Sequence, residues 1–136
     1  MNVTIIGAGY VGLTTGVALA YLGNRVTCLD VDEHKIGALH RNEAPFYEPF
    51  LEELMALAGE NLLYTSDYAA GVPPADVVFI AVGTPSGRGG GVDLRYLHAA
   101  AESVDGNLVP HVAPDGFDLF RDEFAVVHTW MVCDVL

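Results

Sequence analysis

Three glycines near the start of the chain have the spacing G-x-G-x-x-G, in the segment Gly7-Ala8-Gly9-Tyr10-Val11-Gly12. In such a segment Gly7 permits a tight turn, Gly9 lets a diphosphate approach the backbone, and Gly12 lets a helix pack closely on a sheet. Backbone N–H groups at the start of a helix bind anions without help from a basic side chain. The spacing therefore predicts a diphosphate site formed by Gly7, Gly9, Tyr10, Val11 and Gly12.

An aspartate follows at the end of the next apolar segment, RVTCLD, at residues 25–30. The Asp30 carboxylate can accept hydrogen bonds from ribose hydroxyls and would repel a 2′-phosphate, which favours NAD over NADP. The glycine spacing alone is weak evidence, but here it follows a strand, opens a helix and precedes an acid. We therefore predict NAD as the cofactor. A tight turn without a ligand, a flavin, or another nicotinamide enzyme remain the alternatives.

Two further polar residues lie close to these segments in the sequence. Lys35 comes five residues after Asp30, where it would reach the phosphates or ribose of a cofactor, although an exposed helical lysine is the ordinary alternative. Thr84 belongs to Gly83-Thr84-Pro85, directly after an apolar segment, and loops at the carboxyl ends of strands line the ligand crevice in such sheets. An ordinary turn is the alternative there. Judged from sequence position alone, the ordinary alternative is the better interpretation of both residues.

Short apolar segments rich in β-branched residues predict strands, and segments of helical spacing between them predict helices. This alternation implies parallel pairing of the strands. The fold class is therefore α/β, a Rossmann-like parallel sheet with flanking helices, incomplete because it holds the first half of a doubly wound fold. The predicted strands are Asn2–Ile6, residues 25–30, Leu62–Thr65 and residues 76–82, and the predicted helices are residues 10–22, residues 33–41, one from Pro49 and one after Asp93.

Several details of these elements are specific enough to be tested. The apolar segment at residues 76–82 predicts a strand buried on both faces. Pro49 suits the first position of a helix, and Asp93 suits an N-cap. The predicted apolar faces are Val11, Thr15, Ala18 and Leu22 in the first helix, Leu51, Leu54, Met55 and Ala58 in the third, and Leu94, Leu97, His98 and Ala101 in the last.

The composition fits one globular domain, with 51% hydrophobic and 18% charged residues among 136. Six basic residues against eighteen acidic ones give a net charge of −12, which argues against binding to nucleic acid and to anionic membranes. The two cysteines, Cys28 and Cys133, form no disulfide framework, and neither they nor the five histidines have metal-ligand spacing. We expect a cytoplasmic protein without a metal site.

Taken together, the motifs resemble the UDP-glucose/GDP-mannose dehydrogenase family. The matching segments are MNVTIIGAGYVGLTTGVALAYLGNRVTCLDVDEHKI, PFYEPFLEELM, ADVVFIAVGTPS and VDLRYLHAAAESV, within roughly residues 1–105. The Tyr-Glu-Pro and Val-Gly-Thr-Pro motifs are more specific than the glycine spacing. The resemblance implies an NAD-binding domain of an enzyme that oxidises a nucleotide sugar to its carboxylate, such as UDP-glucose to UDP-glucuronate. By motif match it implies cofactor contacts at Val11, Asp30, Lys35 and Thr84, which favours Lys35 and Thr84 over their ordinary alternatives.

Departures from the family pattern bear on activity. The Gly-Phe-Gly-Gly-Ser-Cys segment that carries the family's catalytic cysteine is missing from the sequence, as are its catalytic lysine and asparagine and its further threonine and glutamate contacts. We therefore predict no catalytic residue in this chain. Phe50 stands where the family usually has glycine, which we interpret as a minor change.

The resemblance ends abruptly after about Asn107. We therefore divide the chain into an NAD-binding Rossmann domain at residues 1–107 and a tail of unassigned structure at residues 108–136. The sharp junction suggests a truncated chain, which a shifted reading frame would explain. The expected partner is NAD, with a nucleotide sugar only in a full-length relative and a homo-oligomer left open. A non-catalytic dinucleotide-binding fragment is the alternative function.

Overall fold

A four-stranded parallel sheet forms the framework of the computed structural model, which describes residues 1–86 and 91–108. The strands lie in the order β3-β2-β1-β4, so that β1 is central and pairs with both β2 and β4. The predicted α/β class with a parallel sheet is confirmed. The strands are β1 at Asn2–Ile6, β2 at Arg25–Leu29, β3 at Leu62–Thr65 and β4 at Val77–Ile80.

Helices connect these strands, and five α-helices fall within the described residues. None of these helices has the length and unbroken apolar character that a membrane crossing requires. The single turn of α4 was not predicted, because one turn has no periodicity; its start is fixed by Asp67, which accepts a hydrogen bond from the Ala69 N–H. The helices are α1 at Tyr10–Tyr21, α2 at Glu33–His40, α3 at Leu51–Ala58, α4 at Tyr68–Gly71 and α5 at Arg95–Asp105.

The face that α1 buries differs from the predicted stripe. Thr15, Ala18 and Leu22 are exposed, so that prediction is wrong. The close approach of α1 to the sheet determines which of its faces is buried. A Cβ at Gly16 would lie 2.6 Å from the Cys28 sulfur, so only glycine fits there. The apolar periodicity missed this face because two of its members are glycines. The buried residues of α1 are Gly12, Leu13, Gly16, Val17 and Ala20.

Strand β4 lies at an edge of the sheet, and the predicted burial on both of its faces is wrong. Val77, Val78 and Phe79 are only half-buried, whereas Ile80 is buried. The reason is that β4 pairs with β1 on one side, while on its other side the described residues provide no strand.

Helix α5 also differs in detail from its prediction. Its buried residues are Ala100 and Val104, whereas His98 and Ala101, predicted on the apolar face, are exposed. Leu94 occupies the N-cap position. The Asp93 carboxylate nevertheless accepts a hydrogen bond from the Arg95 N–H at 3.1 Å. Asp93 therefore binds a backbone N–H at the helix start as predicted, although it lies one residue before the N-cap position.

The sheet separates two apolar clusters, one on each face. The first joins α1 and α3 to the sheet through residues such as Leu13, Val17 and Met55, and the predicted apolar face of α3 is confirmed there. The second joins α5 to the sheet through Ile80 and Val104. Burial on both faces is what the parallel sheet requires.

The start of α3 contains backbone strain that the sequence did not reveal. Pro49 is not the first helical residue: α3 begins at Leu51, and Phe50 is its N-cap with a φ of 65°, in the left-handed region. A side chain in that region costs roughly 1–2 kcal/mol relative to the right-handed one. The interpretation of Phe50 as a minor change from glycine is therefore wrong.

We expect Phe50→Gly to raise the free energy of unfolding by about 0.5–1 kcal/mol, because glycine adopts positive φ without steric cost. The ring is 73% exposed, so its removal sacrifices little buried apolar area. Urea denaturation followed by far-UV circular dichroism measures the change. Phe50→Ala removes the same ring but keeps the strain, and should show no such gain. A loss of stability in Phe50→Gly would contradict this account.

Candidate functional site

A cleft of about 470 Å³ opens at the carboxyl edge of the sheet, where β1, β2 and β4 end. It contains residues from both predicted halves of the dinucleotide site, namely the glycine turn and the segment after β2. Asp30 and Lys35 are the charged residues among those lining it, and most of the others are apolar. The lining residues are Ile6, Gly7, Gly9, Leu29, Asp30, Val31, Lys35, Tyr68, Ala81, Val82, Gly83, Pro85 and Tyr96.

The turn between β1 and α1 requires glycine at two of its three motif positions. Gly7 has a φ of 101°, and a Cβ there would lie 2.7 Å from the Ala81 carbonyl oxygen. A Cβ at Gly12 would overlap the Gly7 carbonyl oxygen and crowd the Ala81 side chain. The predicted role of Gly12 in close packing is thus confirmed. The backbone of the turn is its nearest neighbour, and the Ala81 side chain comes next.

Gly9 differs from the other two motif glycines because nothing lies within 4 Å of the position its Cβ would take. It lines the cleft and is the N-cap of α1, with an ordinary φ of −80° and no side chain capping the helix start. Neither sterics nor backbone conformation of the protein itself demands glycine there. The open space at the positive end of a helix dipole suits an anionic group.

Asp30 lies directly after β2, is only 8% exposed, and is held by three hydrogen bonds. Its Oδ2 accepts from the Ala8 N–H at 2.8 Å and from the Lys35 ammonium at 2.7 Å, and its Oδ1 accepts from the Asp32 N–H at 3.0 Å. A carboxylate has about four acceptor positions, so one remains for a further donor. The bond from Ala8 ties this acid to the glycine turn.

These contacts also fix the charge of Asp30. Burial alone would raise its pKa, but the hydrogen bonds from Lys35, Asp32 and Ala8 together outweigh burial and hold the pKa below its ordinary value. The carboxylate is therefore ionised at neutral pH. In that state it accepts hydrogen bonds and donates none.

The lowered pKa makes a prediction about stability against pH. A carboxyl group whose pKa falls on folding contributes stability above its ordinary pKa, and loses that contribution as the pH falls through the folded value. The difference in free energy of unfolding between wild type and Asp30→Asn should therefore stay constant from neutral pH to about pH 5 and shrink below it. Denaturation at a series of pH values measures this. A difference that stays constant or grows on acidification would contradict the assigned direction.

Of the remaining predicted contacts, Lys35 is among the residues that line the cleft, whereas Val11, Tyr10 and Thr84 are not. Lys35 pairs with Asp30, and its ammonium has two further donors. Thr84 is half-buried in the loop after β4, where its neighbours Gly83 and Pro85 line the cleft. Val11 is half-buried in the first turn of α1. The roles of these residues toward a cofactor stay predictions, as do those of the motif glycines, Tyr10 and Asp30.

Tyr10 is directed toward the loop that precedes α3. Its hydroxyl donates a hydrogen bond of 2.6 Å to Glu48, and its ring lies 5.1 Å from that of Phe46, between centroids. The hollow beside this loop is larger than the cleft, at about 610 Å³. It is lined by Glu48, Glu52 and Glu53, which would repel phosphate, so the cleft at Asp30 is the better candidate for a dinucleotide site.

Val31, Tyr68 and Tyr96 are among the cleft residues that the sequence did not single out. The available signal for Val31 was its position directly after Asp30. No local pattern marks Tyr68 or Tyr96, because only the meeting of α4 and α5 with the ends of the strands brings them together. Cys28, by contrast, belongs to the core: it is fully buried, and burial raises the pKa of its thiol to about 12.

Comparison with known proteins identifies the family. The model of the UDP-glucose/GDP-mannose dehydrogenase family NAD binding domain matches residues 1–111. The chain belongs to this family. The match covers the glycine turn, Asp30 and the loop after β4, and the domain it describes binds NAD. The predicted boundary at residue 107 stays a prediction, since residues 109–136 lie outside the described ones.

Individual relatives agree with this family membership. The chain is 50% identical to the UDP-glucose 6-dehydrogenase of Rhizobium meliloti over 111 residues, which are 79% of this chain and 25% of the relative. It is 45% identical to the UDP-glucose 6-dehydrogenase of Bacillus subtilis over 106 residues, covering 76% of this chain and 24% of the relative. The chain therefore spans about a quarter of the length of these curated relatives.

Solved structures show the same fold. A UDP-glucose dehydrogenase from the archaeon Pyrobaculum islandicum superposes with a TM-score of 0.73 at 38% identity, covering 76% of this chain and 24% of that one. A ternary complex of GDP-mannose dehydrogenase from Pseudomonas aeruginosa superposes with a TM-score of 0.76 at 34% identity, covering 79% and 25%. The Rossmann-type assignment from the sequence is confirmed.

Proposed function

We propose that this chain binds NAD in the cleft between Gly9 and Asp30, as the NAD-binding module of a nucleotide-sugar dehydrogenase. The observation that carries the proposal is the bond from the Ala8 N–H to Asp30, which fixes an ionised carboxylate beside an uncapped helix start. These two groups are what the two ends of an adenosine diphosphate require: donors for the phosphates and an acceptor for the ribose hydroxyls.

The residues present fit the cofactor. The open space at Gly9 admits a diphosphate, whereas any side chain would occupy that space. Asp30 retains an acceptor position for a ribose hydroxyl and opposes a 2′-phosphate by its charge. Lys35 has donors left for a phosphate or a ribose oxygen, and Val11, Tyr10 and Thr84 are the further proposed contacts.

The reaction assigned to the whole enzyme is proposed for a full-length relative and not for this chain. NAD accepts a hydride, and the protein must place the substrate carbon against the nicotinamide ring. The matched segment covers only 25% and 24% of the two relatives named UDP-glucose 6-dehydrogenase. This sequence lacks the cysteine segment that the family resemblance requires for oxidation of UDP-glucose to UDP-glucuronate. We therefore propose NAD binding without sugar oxidation.

Calorimetric titration of the purified chain with NAD, followed by a turnover assay with UDP-glucose, tests this proposal. We expect saturable binding of one NAD per chain and no formation of NADH above the rate without protein. The absence of binding by a cooperatively folded sample would refute the proposed function. Formation of NADH would instead refute the statement that this chain is inactive.

A further inference from the structure

The Tyr-Glu-Pro motif at residues 47–49 is more specific than the glycine spacing, yet none of its residues lines the cleft. The proposed contacts to NAD use no residue of this motif. Its middle residue is nevertheless joined to the glycine turn, because the Glu48 carboxylate accepts a hydrogen bond of 2.6 Å from the Tyr10 hydroxyl. Two motifs that lie 38 residues apart in the sequence therefore meet in the fold.

The segment that carries Glu48 is bound to α3 at both of its ends. At its start, the Asn42 side chain donates a hydrogen bond to the Glu52 carbonyl oxygen, and the Ala44 N–H donates one to the Glu52 carboxylate, each at 3.0 Å. At its end, Phe50 is the N-cap of α3. Glu48 is half-buried between these two attachments. Its carboxylate is therefore an acceptor held in a fixed place.

Tyr10 is the first residue of α1, directly after Gly9. The Gly9 carbonyl accepts the first hydrogen bond within the helix, so the N–H groups of the four residues from Gly9 onward have no acceptor inside it. These N–H groups are the donors that the proposed diphosphate would use. The Tyr10 side chain is held by Glu48 at its hydroxyl and by the Phe46 ring at 5.1 Å between centroids. The first turn of α1 is thereby joined to the segment before α3.

We propose that Glu48 is a positioning residue for NAD binding, which acts through the Tyr10 hydroxyl to hold the first turn of α1 in the conformation that the diphosphate requires. The inference rests on the proposed function, since it assumes that the diphosphate binds at this helix start. The first turn of a helix frays readily, and a ligand that binds a frayed turn must offset the free energy of ordering it. The hydrogen bond to Glu48 orders this turn before the ligand arrives.

The charge of Glu48 works against the same ligand, because a carboxylate repels a diphosphate. Its contribution to binding therefore comes from its acceptor oxygen and not from its charge. This distinction separates Glu48 from a residue that attracts the cofactor, and it makes glutamine the informative replacement. Glutamine keeps an acceptor oxygen for the Tyr10 hydroxyl and removes the charge.

Calorimetric titration of NAD into variants of the full chain tests the proposal. We expect Glu48→Ala to weaken NAD binding by about three- to tenfold, because the ligand must then order the turn itself. Glu48→Gln should bind NAD at least as tightly as wild type. Glu53→Ala is the matched control, since it removes the same charge from an exposed glutamate of the same hollow, and it should bind like wild type.

A double-mutant cycle shows whether Glu48 acts through Tyr10. Tyr10→Phe removes the hydroxyl and keeps the ring beside Phe46, so it should weaken NAD binding by the same factor as Glu48→Ala. The double variant should bind no more weakly than either single one, because both changes break one hydrogen bond. Urea denaturation of each variant separates stability from binding: a purely structural role would lower stability and leave the NAD affinity of the folded chain unchanged.

The possible results separate this inference from the proposed function. If wild type binds NAD and Glu48→Ala binds it equally well, Glu48 has no positioning role, while the proposed function stands. If Glu48→Gln binds as weakly as Glu48→Ala, or if the effects of Glu48→Ala and Tyr10→Phe add, Glu48 does not act through the Tyr10 hydroxyl and the inference is wrong. If wild type binds no NAD, the proposed function fails and the inference fails with it.

Discussion

The Gly12→Ala variant is expected to lose about 3 kcal/mol or more of its free energy of unfolding, because the added methyl group must displace backbone. Its Cβ would overlap the carbonyl oxygen of Gly7 and approach the Ala81 side chain to 3.3 Å. Neither neighbour can rotate away: one is backbone in the turn, and the other is a methyl group beside β4. For a domain of ordinary stability, this loss is a large fraction of the total. Urea denaturation followed by circular dichroism measures it.

Gly37→Ala is the matched control for this substitution. Gly37 also lies inside a helix, but its nearest neighbour outside the backbone is the Arg41 guanidinium, 3.8 Å from the position that a Cβ would take. Alanine there should raise the free energy of unfolding by roughly 0.5–1 kcal/mol, through its better helix propensity. If both variants gained stability, the close contact assigned to the turn between β1 and α1 would be wrong.

Removal of the Asp30 carboxylate is expected to have the largest effect on cofactor binding. In Asp30→Ala the affinity for NAD should fall by a factor of roughly 10–100, the range expected for lost hydrogen bonds to a charged group. The same change removes the repulsion against a 2′-phosphate and leaves Lys35 without its partner. The ratio of NAD to NADP affinity should therefore fall markedly, as measured by calorimetry with both cofactors.

The affinity ratio is the decisive quantity, because loss of the bonds from Ala8 and Asp32 will also lower the stability of Asp30→Ala. Folding affects the binding of both cofactors equally, whereas selectivity depends on the site. Asp32→Ala makes the same change of charge two residues away. It removes the N-cap of α2, at a cost of about 1 kcal/mol in stability, without touching the cleft. If Asp30→Ala kept the wild-type ratio of NAD to NADP affinity, the assignment of Asp30 to the ribose site would be wrong.

Sequence periodicity predicted the strands and the order of elements well, and it predicted the buried face of α3, but not the burial of α1 and β4. Each strand pairs in parallel as expected from the alternation with helices. The buried face of α1 was missed because Gly12 and Gly16 carry no apolar signal, although they make the closest contacts with the turn and the sheet. The half-exposed state of β4 follows from its edge position, which depends on which other strands are present and not on its own residues.

The site was predictable where its chemistry is local in sequence. The glycine turn and Asp30 were found because their spacing reflects one β-α-β unit, and the structure joins them through Ala8. Lys35, which pairs with Asp30, lies only five residues later in the sequence, near the start of α2. Tyr96 was not predictable, because it reaches the cleft from α5, more than sixty residues after Asp30, and only the folded sheet brings the two together.

The most direct test of the account is calorimetric titration of NAD into wild type and Gly9→Ala. Alanine fits the φ of −80° at this position and meets no protein atom within 4 Å, so the variant should fold with a stability within about 1 kcal/mol of wild type. Its methyl group would occupy the space assigned to the diphosphate, and we predict that its affinity for NAD falls by at least about tenfold. A folded Gly9→Ala chain that binds NAD as tightly as wild type would contradict the placement of the diphosphate at the start of α1.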